Sequence, residues 1–154
     1  MSNDLIDSNI HFQEALDLSE PTSYHKAVVK FSKALQESSK DHHIIYNDWG
    51  NALSNDFRYK AALSKYKISI KISPSFTFAH NGWGTALLNL GDFDGATKRF
   101  QEAHEIEPKG FLFTANWSLG LYLSGNETKA VEILEEGIKS IDPNSIWNPI
   151  NLKI

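Results

Sequence analysis

The chain is 154 residues long, 41% hydrophobic and 22% charged, with 19 Asp and Glu against 15 Lys and Arg for a formal net charge of −4. This composition fits an ordinary globular protein and excludes a globally basic nucleic-acid binder or a highly acidic disordered chain. Cysteine is absent, which excludes disulfide staples and thiolate metal sites, and no run approaches the ~20 apolar residues of a membrane span. The opening stretch, from Met1 to Asp7, is acidic and has no apolar core, so it does not read as a signal peptide and a cytoplasmic location is expected.

Tryptophan sets the frame for everything that follows. Trp49, Trp83 and Trp117 stand 34 residues apart. The same step relates Gly50, Gly84 and Ser118, then Leu53, Leu87 and Leu121, then Ala62, Ala96 and Ala130, then Tyr66, Phe100 and Leu134. Pro74 and Pro108 keep it too, and Pro143 follows one residue late. A period of this size marks stacked helical units, none of which can bury its apolar face alone.

In chain order, residues 7–41 hold a weak copy, with His11, Ala15, Leu18, Tyr24, Ala27 and Phe31 in register but no Trp-Gly pair and no closing proline. It reads as a degenerate or capping unit. Residues 42–75 hold the first full copy. Its second helix carries Arg58, Lys60, Lys65, Lys67 and Lys71 with no acid among them, a pattern read as a solvated outer face rather than a nucleic-acid patch.

Residues 76–109 form the clearest copy. Phe76, Ala79, His80, Trp83, Ala86 and Leu87 recur three and four apart on one helical face. Gly91 then supplies a left-handed C-terminal cap and Asp92 an N-cap. A second face runs through Phe93, Ala96, Thr97, Phe100, Ala103 and His104 until Pro108. Gly84 and Ala96 are expected where the two helices approach most closely, with Ala103 against the next unit. Residues 110–143 repeat the scheme with Ser118 for Gly and Leu134 for the aromatic. Residues 144–154 are interrupted by Pro149 yet apolar at Ile146, Trp147, Ile150, Leu152 and Ile154. Such a tail is expected to cover the exposed end of the last unit or to reach into a second copy as a homo-oligomer contact.

These positions resemble the tetratricopeptide (TPR) repeat over roughly residues 7–143. The resemblance implies an all-α, right-handed α-solenoid of antiparallel helix pairs, about eight helices in all. The three tryptophans are then expected to form a buried ladder of core side chains. The resemblance further implies a concave groove, lined by the first helices, that binds peptides or partner proteins. The solvent-facing groove positions read in this way are Ile44, Asn47 and Asn51, then Phe78, Asn81 and Thr85, then Leu112, Asn116 and Tyr122, with Asn9, Phe12 and Leu16 from the weak unit. Side-chain amides both donate and accept, so they can hold an extended backbone without reading its sequence, while Phe78, Leu112 and Tyr122 offer apolar pockets. TPR domains that clamp the acidic tails of heat-shock chaperones use Lys and Arg on this face. None stands at these positions, so tight binding of such tails is not expected.

No Gly-rich phosphate loop, nucleophile elbow or paired-histidine zinc motif occurs. The six histidines are dispersed, with His42 and His43 about 100° apart on a helix and His80 and His104 at packing positions. No enzyme activity, cofactor or metal is expected. The reading is a non-catalytic adaptor or scaffold for a peptide or partner protein, with a small TPR chaperone for a client such as a secretion-system substrate as the alternative.

Overall fold

The computed structural model describes residues 23–37 and 40–140, with side chains from Lys26 onward. The upstream part of the weak unit, with its groove candidates Asn9, Phe12 and Leu16, lies outside the described residues, and so does the 144–154 tail. Seven helices are described: α1 (Ser23–Glu37), α2 (His42–Asn55), α3 (Tyr59–Ile72), α4 (Thr77–Asn89), α5 (Phe93–Ile106), α6 (Phe111–Leu123) and α7 (Glu127–Ser140). Each packs on its neighbours in the chain, and beyond these pairs the principal contacts join α2 to α4 and α4 to α6. The result is an all-α solenoid of antiparallel helix pairs, with α2, α4 and α6 forming one layer.

The turns inside the pairs are the same motif written three times. Arg58 N–H donates to the Leu53 carbonyl, Asp92 N–H to Leu87 and Asn126 N–H to Leu121, at 2.9, 3.0 and 2.8 Å. Nested inside each, a bond from a residue to the third one before it runs from Phe57 N–H to the Ser54 carbonyl, Gly91 to Leu88 and Gly125 to Tyr122, each at 3.0 Å. This paired pattern closes a helix by placing one residue in the left-handed region. Gly91 and Gly125 occupy it at φ 79° and 87°, but the equivalent of the pair in the preceding turn is Phe57, at φ 60°. A side chain there costs roughly 1–2 kcal/mol, and Phe57 recovers little, since it is 80% exposed and meets Tyr59 edge to face at 6.3 Å. Phe57→Gly is therefore expected to stabilise the chain by about 0.5–1 kcal/mol after the added unfolded-state entropy, visible as a raised midpoint in thermal denaturation.

Proline shapes the links between pairs. In Ser73-Pro74-Ser75-Phe76 the last N–H donates to the first carbonyl at 3.1 Å, and in Glu107-Pro108-Lys109-Gly110 at 3.0 Å. Both are β-turns with proline at the position its fixed φ suits. Asp92 caps α5 as expected, its Oδ1 accepting from Gly95 N–H at 2.9 Å.

Packing follows the small residues. A Cβ on Gly84 would lie 2.6 Å from the Phe100 ring, and one on Gly50 the same distance from Tyr66. Gly82 on α4 meets Tyr66 from the other side, again at 2.6 Å. Thus each second-helix aromatic is seated against backbone that only glycine exposes. Ala62, Ala96 and Ala103 are fully buried beside them. In the last pair, where Leu134 replaces the aromatic, Ser118 replaces the glycine and its hydroxyl donates to the Ala130 carbonyl at 2.7 Å.

The tryptophan ladder is only partly buried. Trp49 lies in the core with Val28, Leu53, Ala62, Tyr66 and Ala86, stacked on Phe31 at 5.7 Å. Trp83 and Trp117 are half-buried. Each ring meets a different partner one helix later: Lys65 Nζ sits 3.9 Å above Trp49 and the Arg99 guanidinium 4.0 Å above Trp83. At the third equivalent position stands Ile133, which clusters with Leu121 and Ala130 against Trp117. Lys65 is accordingly buried, which corrects the reading of its helix as uniformly solvated.

Candidate functional site

The layer made by α2, α4 and α6 is almost without charge. Their sequences contain no Lys or Arg and a single acid, Asp48. Every base described elsewhere falls on the second helices, on α1 or in the connections. The charges that keep the protein solvated are thus segregated from the first-helix layer.

Three of the predicted positions form a row. Ile44, Phe78 and Leu112 stand in the first turns of successive first helices, 34 residues apart, and are 40%, 53% and 52% exposed. Phe78 also crosses to the next unit, where its ring meets the edge of Phe113 at 5.7 Å. Apolar side chains this exposed, repeated in register, are the kind of surface that marks an interaction site.

The amides do more structural work than their polarity suggests. Asn116 Nδ2 donates to Asn81 Oδ1 at 2.7 Å, tying α6 to α4. Asn51 is exposed but accepts from the buried Tyr66 hydroxyl at 2.8 Å, with Ser54 Oγ a further 3.3 Å partner of that hydroxyl. Burial raises the Tyr66 pKa, and the Ser54 hydrogen bond opposes that shift. Thr85 is exposed, its hydroxyl donating to the Asn81 carbonyl at 3.1 Å, while Asn89 donates to the Thr85 carbonyl at 2.9 Å.

Asn47 is a correction. It was placed on the solvent-facing side of α2 but is only 5% exposed. Its Nδ2 turns to Asp48 Oδ1 at 3.3 Å. The position belongs to the seam between successive first helices: 34 residues on, Asn81 is bonded by Asn116 of the next unit. From Asn47 the same register leads to Gly82, which presents no side chain to hold α2 and α4 apart.

Toward α7 the face becomes wholly apolar. Tyr122 is exposed together with Leu119 and Leu123. Leu123 was missed in the sequence reading, although it continues the row begun by the exposed Asn55 and Asn89 at the same 34-residue step. The eight exposed or half-exposed candidates therefore share one layer, in which Asn51, Asn81 and Asn116 lie beside the apolar row and hydrocarbon prevails toward the end of α6.

No protein-family model matches the chain, and no curated protein does so either. Solved structures do resemble it. The second TPR domain of Spaghetti (RPAP3), bound to an HSP90 peptide of sequence SRMEEVD, superposes with a TM-score of 0.61 at 17% identity, covering 71% of this chain and 99% of that one. The Sgt2 TPR domain from Aspergillus fumigatus gives 0.63 at 20% identity, covering 66% and 67%. MamA from Desulfovibrio magneticus RS-1, from residue 41 onward, gives 0.67 at 18% identity, covering 86% and 75%. The fold is that of TPR domains.

Proposed function

We propose that the chain is a non-catalytic interaction module that binds an extended segment of a partner protein across α2, α4 and α6. The observation that carries this reading is the exposed row Ile44, Phe78 and Leu112 on a layer with no Lys or Arg. Apolar anchors supply most of the energy of such a contact, and the amides of Asn51, Asn81 and Asn116 offer donors and acceptors to a peptide backbone beside them. RPAP3 provides the precedent of a TPR domain holding a peptide, in that case an acid-rich one. This layer lacks the cations that would pair with carboxylates, so the ligand read here is uncharged and carries bulky apolar side chains.

The test is affinity purification from the native cell with quantitative mass spectrometry, comparing wild type with Phe78→Glu/Leu112→Glu. Both side chains are about half exposed, so the variant is expected to stay folded, with a melting temperature lowered modestly by loss of the Phe78–Phe113 contact, worth about 0.5–1.5 kcal/mol. Loss of two apolar anchors and gain of two charges should deplete the specific partners by roughly 10–100-fold. A partner list unchanged by the substitutions would sink the reading.

A further inference from the structure

The turn between α2 and α3 departs from its two later copies in one consistent direction. Phe57-Arg58-Tyr59-Lys60 stands where the next unit has Gly91-Asp92-Phe93-Asp94 and the last has Gly125-Asn126-Glu127-Thr128. Three of the departures work against the local fold. Phe57 takes the left-handed conformation, at φ 60°, that glycine fills in the other copies. Arg58 occupies the N-cap of α3 without forming a side-chain cap, where Asp92 caps α5. Lys60 adds a second cation at a helix N-terminus, whose dipole favours acids. Leu90 makes a fourth departure, an apolar side chain 39% exposed where the equivalent residues are Asp56 and Ser124. These four come together: with Tyr59 and Ala61 they line a shallow cleft of about 400 Å³. Phe57 is the most exposed large hydrophobic side chain among the described residues, so the fold itself gains little from it. Local rules broken together at one exposed place mark a functional surface.

We infer that this cleft is a second docking site, which takes an acidic segment of a partner protein through one bulky apolar side chain. Phe57, Tyr59, Ala61 and Leu90 supply the hydrocarbon that receives the anchor. Arg58 and Lys60 are exposed and are the only charged residues in the lining. Asp56, Asp92 and Asp94 stand outside it, and Asp92 is engaged in its cap. From Lys60 a stripe of exposed cations continues along the same face of α3 through Lys67 and Lys71, in a helix that holds no acid. Carboxylates flanking the anchor meet cations at the rim, and that complementarity selects the partner. Single-stranded nucleic acid also pairs cations with aromatic faces. Here, however, the exposed acids Asp56 and Asp94 border the cleft and oppose a chain with a phosphate at every step, whereas a short peptide can place its charges between them. The site is independent of the groove: Ile44, Phe78 and Leu112 stand in the first turns of their helices, whereas Leu90 follows the last turn of α4.

The probe is a blocked synthetic pentapeptide with one Trp between two pairs of Glu, titrated into the isotope-labelled full chain and followed by amide NMR shifts. The amides of residues 57–61 and of Leu90 are expected to move, with an affinity that falls as salt is added. Phe57→Gly separates binding from folding. It should raise the melting temperature by roughly 1–4 °C while weakening the peptide by roughly fivefold or more. Arg58→Glu/Lys60→Glu should weaken it by roughly tenfold, and Ser in place of the peptide's Trp should do the same. Phe78→Glu/Leu112→Glu should leave the affinity unchanged; an equal loss there would put the peptide in the groove and overturn the cleft. Absence of shifts around the cleft, or an undiminished affinity in Phe57→Gly, would also overturn it. Two further results would replace the occupant and so defeat the proposal. One is a thymidine hexanucleotide that moves the same amides at lower concentration than the peptide. The other is a dimer in sedimentation that disappears with Phe57→Gly.

Discussion

Phe100→Ala is expected to lower the stability of the chain by about 3–5 kcal/mol, a large share of what a domain of this size possesses. The ring is fully buried and lies against Gly84 of its own unit and Gly120 of the next, so its loss opens a cavity on both sides of α5. The glycine is the other half of the same arrangement. Gly84→Ser alone should cost about 1–3 kcal/mol by overpacking, since a Cβ there would sit 2.6 Å from the ring. In a Phe100→Leu background the serine should be far less costly. The chain itself makes that combination one unit later, where Ser118 faces a helix carrying Leu134 and bonds the Ala130 carbonyl. Urea denaturation of the two singles and the double should reveal a coupling of roughly 1–2 kcal/mol. Purely additive losses would show that glycine and aromatic are not a matched pair.

Such pairing explains why so much of the fold was legible. The positions that repeat every 34 residues are those where helices nearly touch, and only small or matched side chains fit there. Trp, Gly, Ala and Pro therefore marked the units, and Gly91 and Asp92 marked a turn whose hydrogen bonds the structure shows. What the repeat could not convey is the environment peculiar to one unit. Asn47 and Asn81 occupy equivalent positions, yet one is buried because its neighbour in register is Gly82 and the other bonds Asn116. Lys65 looked like one cation in a solvated run, but the ring of Trp49 lies beneath it. Phe57 gave no warning either, because an aromatic in a left-handed turn breaks the rule that glycine had stated in the other two copies. The face containing Ile44, Phe78 and Leu112 was recoverable from spacing, whereas the bonding of its amides to one another was not.

Glu102→Ala carries the second large expected effect, about 2 kcal/mol of stability. Glu102 Oε2 accepts from Arg99 Nη1 at 2.8 Å and lies 3.0 Å from His80 Nδ1. His80 is buried, and its Nε2 lies 2.9 Å from the Pro74 carbonyl in the turn that precedes α4. One carboxylate thus fixes the cation stacked on Trp83 and the ring that joins α4 to the preceding turn. Removing it leaves a buried imidazole nitrogen without its partner, where the desolvation cost falls in full. Glu102→Gln, which keeps an acceptor, should recover part of the loss. Glu132→Ala gives the contrast: its 3.4 Å pair with Lys129 is exposed, and its removal should change the midpoint by less than ~0.5 kcal/mol. Equal effects at the two positions would show that burial of His80 is immaterial.

The helices of this array touch little beyond their nearest neighbours in the chain and, on one layer, the next but one. Distant parts of the molecule are therefore energetically separate. Opening can begin at either end and advance unit by unit, so amide hydrogens in α4 and α5, flanked by helix pairs on both sides, should exchange most slowly. A lesion in α7 would loosen its own end and leave the row at Ile44 and Phe78 in place. The chain behaves less like a single sealed core than like a zip, in which damage has an address.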